Sequence, residues 1–164
     1  MFQIHDTIFY PSGGICIIDD IRVVPFDGLP DRNYYIIHPI DRPQETFFVP
    51  VDSDKIRIRH LISREDALDL MHNVTEILPI EETNLKLLKE RINESLAQYE
   101  CIEWFRVIRT VQRHREVLSG RSKRISDTER AYADTAKRYL YAELATVLEL
   151  PAAEVAERVE SLLA

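Results

Sequence analysis

The chain is poor in the residues that mark most catalytic and membrane architectures. It holds four glycines, two cysteines, two methionines and one tryptophan among 164 residues. The single adjacent glycine pair, in Ser12-Gly13-Gly14, is too short to cradle a phosphate and sits between two strand-like runs. Cys16 and Cys101 lie far apart with no partner motif, which excludes a disulfide framework and suits a reducing cytoplasm. The histidines at 5, 38, 60, 72 and 114 have no metal-ligand spacing to one another or to a cysteine. No run approaches the roughly 20 apolar residues of a membrane span, and the start MFQIHDT lacks the basic and apolar regions of a signal peptide. No nucleophile–base constellation stands out, so no catalytic residue, metal or cofactor is nominated. The expectation is a cytoplasmic non-enzyme with no small-molecule substrate and no membrane association.

What is present is a globular composition with uneven charge. An apolar fraction of 45% supports a packed core. A net charge of −7 argues against general affinity for nucleic acid. Residues 104–130 nevertheless carry eight Lys/Arg against three Asp/Glu, while 61–103 carry four against ten. Any polyanion contact is therefore expected within WFRVIRTVQRHREVLSGRSKRISDTER; a solvated helix face is the other reading of the same charges.

The apolar period divides the chain into two parts, 1–61 and 62–164. In the first it is two. Strands are predicted around Ile4 and Thr7–Tyr10, over ICIIDDIRVV, over YYIIHPI (34–40), over ETFFVPVD (45–52) and over KIRIRHL (55–61). Pro11–Gly14 and Asp41–Gln44 are turns, and PFDGLPDRN is a long hairpin loop. Five short strands in so few residues predict a small barrel or a strongly bent sheet. From Ser63 the period becomes about 3.6. SREDALDLMHNV starts with a Ser cap and an acidic turn. TNLKLLKERINESLAQ sets Leu85, Leu88, Ile92 and Leu96 on one stripe. ECIEWFRVIRTVQRHREVL sets Ile102, Phe105, Ile108 and Val111 or Gln112 near a buried face and ends at Gly120. Ser126 and Glu129 read as a capping box opening a helix to about Leu148, and Pro151 fits the first turn of a last helix. Trp104, Tyr132, Tyr139 and Tyr141 are read mainly as packing residues. The fold class is α+β, a five-stranded β-barrel followed by an α-helical bundle.

Particular residues carry a resemblance. Phe2-Gln3-Ile4, Asp6-Thr7-Ile8, Tyr10-Pro11 and Gly14 look like the opening of the CarD/CdnL family of bacterial transcription regulators. That module is shared with the RNA polymerase-interacting domain of the transcription-repair coupling factor. The likeness continues through Tyr34-Tyr35-Ile36-Ile37, Val49-Pro50-Val51-Asp52 and Leu61-Ile62-Ser63, then through Ser126, Glu129-Arg130 and Ala142-Glu143-Leu144-Ala145. The resemblance implies a Tudor-like barrel that docks on the β subunit of RNA polymerase. It also implies a helical domain that leans weakly on promoter DNA at the edge of the melted bubble.

The positions it implies are partly altered. Two family arginines on the barrel fall on Val24 and Phe48; Arg22 shares Val24's strand face, and Phe47 or Phe48 would be an outward aromatic anchor unless the Phe26 loop covers both. The family's wedge tryptophan falls on Leu85, which either unstacks a base step or belongs to the core stripe. The arginine pair that follows falls on Leu87 and Leu88, and a lysine on Glu90. Lys86, Lys89, Arg113, His114, Arg121, Lys123, Arg124 and Arg130 are the candidates for a redrawn DNA-facing surface. Arg106, Arg109 and Arg113 share a helix face. The alternatives are a polymerase-binding accessory protein without DNA engagement, in which Leu85, Leu87 and Leu88 are buried, and an adaptor for another protein.

Overall fold

A computed structural model describes all residues from Met1 to Ala164. The chain divides into two compact units, Met1–Leu61 and Ile62–Ala164. Its class is α+β: an antiparallel five-stranded sheet, then five helices.

In the first unit β1 (Thr7–Tyr10) and β2 (Gly14–Val24) form a tight hairpin with Tyr10 opposite Gly14. Pro11 starts the turn, and the Gly13 N–H donates to the Tyr10 carbonyl at 3.0 Å. Gly14 has φ +74°, a conformation that side chains resist. A Cβ on Gly13 would stand 2.9 Å from the Cys16 sulfur and 3.1 Å from Phe47. The turn thus presses on the core, and both glycines are required.

β3 (Arg32–Pro39) pairs with β2, and β4 (Phe47–Pro50) pairs with β3. A bulge between Ile18 and Asp20 shifts the register and bends the long β2. Beside it Asp19 meets His38 Nδ1 at 2.7 Å. One sheet face forms the core, from Ile8, Cys16, Ile18, Tyr35, Ile37 and Val49. The strand order is β4-β3-β2-β1-β5, and no ladder joins β4 to the last strand. The sheet is not closed by hydrogen bonds, so of the small barrel or strongly bent sheet expected from the sequence the barrel is not shown.

The fifth strand is also shorter than its sequence suggests. β5 is only Arg59–His60, paired with Phe9 and Ile8 of β1. The alternation in KIRIRHL reports burial rather than pairing: Ile56 and Ile58 pack on the core without joining the ladder. β1 has four residues, so it offers little length to template a longer partner.

The second unit follows its caps. Ser63 accepts the Asp66 N–H at 3.0 Å and opens α1 (Arg64–His72). Asn84 Oδ1 accepts the Lys86 and Leu87 N–H groups at 3.0 and 3.1 Å and opens α2 (Leu85–Leu96). α3 spans Cys101–Ser119, α4 Asp127–Leu148 and α5 Ala152–Leu163. Pro151 stands just outside α5, at its N-cap. Trp104 and Phe105 of α3, Leu140 and Leu144 of α4 and Val155 and Val159 of α5 are fully buried. Trp104 meets the Tyr139 ring at 5.4 Å. Two stripe assignments are corrected: Leu85 is 58% exposed and Ile102 44% exposed. Leu85 sits in the first turn of α2, where the stripe runs off the bundle; Cys101 and Trp104 take the inward positions around Ile102.

Candidate functional site

The open sheet leaves β4 as an edge, and this edge is the first candidate surface. Val49 and Phe47 stand opposite Tyr35 and Ile37, and the Val51 N–H donates to the Asn33 carbonyl at 3.0 Å. Antiparallel alternation therefore turns the Phe48 amide and carbonyl to the free edge. Pro50 has no N–H to offer there, as is usual for proline in an edge strand, and its carbonyl accepts the Ser53 N–H at 3.3 Å.

The side chains divide by the same alternation. Phe47 faces the core and meets Tyr10 at 5.3 Å, so of the two candidate anchors it is the inward one and leaves the candidate surface. Phe48 points the other way and is 42% exposed. Phe26, from the β2–β3 loop, folds back over Tyr34 at 5.2 Å and against Phe48 at 5.6 Å. Leu29 N–H donates to the Phe26 carbonyl at 3.1 Å and Gly28 takes φ +80°, which fixes that return. Arg22 is exposed on the same face and leans on Asp20 at 3.5 Å; Val24 is half-buried. Arg32 holds Asp52 through Nε at 3.2 Å, joining the start of β3 to the residues just after β4 at one end of that pair, and this hydrogen bond lowers the Asp52 carboxyl below its ordinary range. The sequence reading had the Phe26 loop as a cover for both aromatics; it covers part of Phe48 and leaves it exposed, and Tyr34 of β3 joins the cluster beneath Phe26.

The second surface is the start of α2. Leu85 and Leu87 are exposed, Lys86 is exposed and Lys89 half-buried; only Leu88 of the three leucines is buried. The reading that buries all three is thereby corrected. Two exposed leucines and two lysines stand around this turn.

The third is the connection between α3 and α4. Arg121, Lys123 and Arg124 are exposed and enter no ion pair. The other basic candidates nearby are engaged. Arg113 meets Glu81 at 3.3 Å, and Arg130 meets Asp127 at 3.2 Å. His114 turns inward, its Nδ1 against the Glu129 carboxylate. Arg106 pairs with Glu103, and Arg109 donates to the Val74 carbonyl at 2.8 Å. The shared face of Arg106, Arg109 and Arg113 is thus consumed within the unit.

Glu129 organises this connection. It is 5% exposed, and its Oε2 accepts from the Ser126 N–H at 3.2 Å and hydroxyl at 3.0 Å. Burial alone would raise its pKa, but the bonds from His114 and Ser126 outweigh that and hold it below the usual value. The capping box is therefore locked to α3 through His114, and the basic loop is pinned at both ends.

No cluster of three or more His, Cys, Asp or Glu side chains could hold a metal, and no helix is long and apolar enough to cross a membrane. The family model described as CarD-like/TRCF RID domain matches residues 2–62, which is the first unit and less than half of the chain. That family is one of RNA polymerase-interacting, non-enzymatic domains. No curated protein matches the chain.

Proposed function

We propose that the chain is a transcription regulator that docks on the β subunit of RNA polymerase through its first unit and steadies the promoter open complex through its second. The observation that carries the docking is the polymerase-interacting family match over residues 2–62 together with the free β4 edge. An extended segment of the partner adds to that edge by main-chain hydrogen bonds, and Phe48 with Phe26 supplies the side-chain anchor. Arg22 and Val24 lie on the flank of the same face.

The DNA contact in this reading is weak and polymerase-dependent. Tethering raises the local concentration of the helical unit, so a chain of net charge −7 needs little intrinsic affinity. Arg121, Lys123 and Arg124 meet phosphates, with Lys86 and Lys89 in support, and Leu85 is the exposed apolar group available to a distorted base step. Arg113, His114 and Arg130, each engaged by a carboxylate, position the loop rather than contact DNA.

Those same ion pairs favour a second reading, in which the protein binds polymerase and leaves DNA alone. The dissociation lifetime of open complexes on a forked promoter fragment separates the two. A lifetime that lengthens on adding the chain, and reverts with Arg121, Lys123 and Arg124 changed to alanine, supports the DNA role. An unchanged lifetime with polymerase bound supports the accessory role.

A further inference from the structure

The charges on the β4 side of the sheet are unequally matched. Each arginine of β2, β3 and the β3–β4 turn is already held: Arg22 by Asp20 at 3.5 Å, Arg32 by Asp52, and Arg42 by both Glu45 at 2.8 Å and Asp41 at 3.5 Å. Two carboxylates beside the aromatic anchor are not held. Asp27 follows Phe26 in the turn closed by the Leu29 N–H, and Asp31 ends the same loop; both are exposed and enter no ion pair. Beyond β4, Asp54 and Lys55 offset each other. The remaining arginines of the unit, Arg57 and Arg59, belong to the β5 side, at the opposite edge of the sheet. The β4 side therefore carries surplus negative charge.

Among these charges lies apolar surface. Phe48 and Phe26 are both exposed while meeting edge to face at 5.6 Å, and the loop that carries Phe26 also exposes Leu29. Beside them run the free Phe48 amide and carbonyl. Each feature selects something different in a partner. The main-chain groups select an extended segment, the aromatic pair a large apolar side chain, and the acidic rim a cation.

We propose that the partner segment taken up at this edge is a β-strand with a large apolar residue at its centre and lysine or arginine on its flanks. The apolar residue lies against Phe48 and Phe26, and the cations meet Asp27 and Asp31. A strand with acidic flanks is repelled by the same two carboxylates. This inference rests on the docking reading of the edge and adds the chemistry of the segment that docks. Rim charges act mainly on the rate of association and its response to salt, whereas the aromatic anchor acts on dissociation.

The test has two arms. The first follows amide NMR shifts of the full chain on adding end-capped heptapeptides with phenylalanine at the centre among valine and threonine. One peptide has lysine at both ends and one has glutamate; a lysine-ended peptide with serine at the centre is the charge-only control. The lysine-ended phenylalanine peptide should shift Phe48 and the Phe26–Asp31 loop, and bind about threefold or more tighter than the glutamate-ended one at low salt. The serine control should not saturate. The second arm measures association of the full chain with RNA polymerase. Asp27→Asn with Asp31→Asn should slow it about threefold or more, and Asp27→Lys with Asp31→Lys about tenfold or more; about 0.5 M salt should remove the differences. Both residues are exposed and unpaired, so the variants should keep the parent's thermal midpoint. Equal or tighter binding of the glutamate-ended peptide would overturn the proposal, as would association with polymerase unchanged in the lysine variants. No shift at Phe48 with either phenylalanine peptide up to about 5 mM would do the same. A chain that ignores polymerase yet prefers the lysine-ended peptide would keep this proposal and remove the docking reading.

Discussion

Replacing Glu129 by alanine removes the group that ties the start of α4 to α3. Its carboxylate accepts from the Ser126 N–H and hydroxyl and meets His114 Nδ1, while 5% of the residue is exposed. Losing an N-terminal cap costs about 1 kcal/mol, and losing a charge-assisted hydrogen bond about 1.5–3 kcal/mol. His114 keeps 23% of its side chain exposed and can regain water, which places the total near the lower end, about 2–3 kcal/mol. For a unit of this size that is a fall of roughly 8–15 °C in midpoint. Glu129→Gln keeps an acceptor for Ser126 and should cost about half as much. Trp104 is the only tryptophan and is fully buried in the helical unit, so urea titration by its fluorescence reads that unit alone. The pH dependence has a defined sign. Glu129 titrates below its ordinary value of 4.5 when folded, so its contribution is full above that value and is lost as pH falls through the depressed one. The parent and Glu129→Gln should therefore differ most at neutral pH and converge as pH falls below the depressed value. A Glu129→Ala loss under about 0.5 kcal/mol, or a difference independent of pH, would refute the reasoning.

The remaining predictions test other parts of the account. Changing Arg121, Lys123 and Arg124 together to alanine should leave the Trp104 unfolding midpoint unchanged and lower the log–log salt slope of promoter binding by polymerase complexes by about three units; an unchanged slope would mean these side chains meet no phosphates. Leu88→Ala should cost about 2–4 kcal/mol and Leu85→Ala under about 0.5 kcal/mol in the same urea titration, since only the first is buried; equal losses would return Leu85 to the core. Cys16, whose thiol burial raises to a pKa of about 12, should resist an aromatic disulfide reagent at pH 8 in the folded chain and react on unfolding. Prompt reaction of folded protein at Cys16 would show that the sheet core opens.

Much of the fold was legible from short-range signals. The Pro11–Gly14 turn, the Ser63 and Asn84 caps and the Ser126/Glu129 box each state their element locally, and the helices begin where those residues stand. What failed depended on partners far along the chain. KIRIRHL alternates, yet only Arg59 and His60 of it pair, with Phe9 and Ile8 of β1. Leu85 fits the stripe by spacing, yet burial ends with the bundle that covers the stripe. The aromatic surface shows the same limit: Phe48 was nominated, but Phe26 reaches it only through the Gly28 turn. The basic candidates were visible as charge, whereas the carboxylates that occupy Arg113, His114 and Arg130 lie 32, 15 and 3 residues away. The two distant partners are invisible to a local window.

The most direct test of the central claim is the affinity of the purified chain for RNA polymerase, measured for the parent and for Phe48→Glu by surface-immobilised binding. Phe48 is 42% exposed, so the variant should fold as the parent does. The account predicts that the parent binds and that the variant is weakened about tenfold or more by a charge at a desolvated anchor. A folded parent with no affinity for polymerase, or a variant that binds equally well, would contradict it.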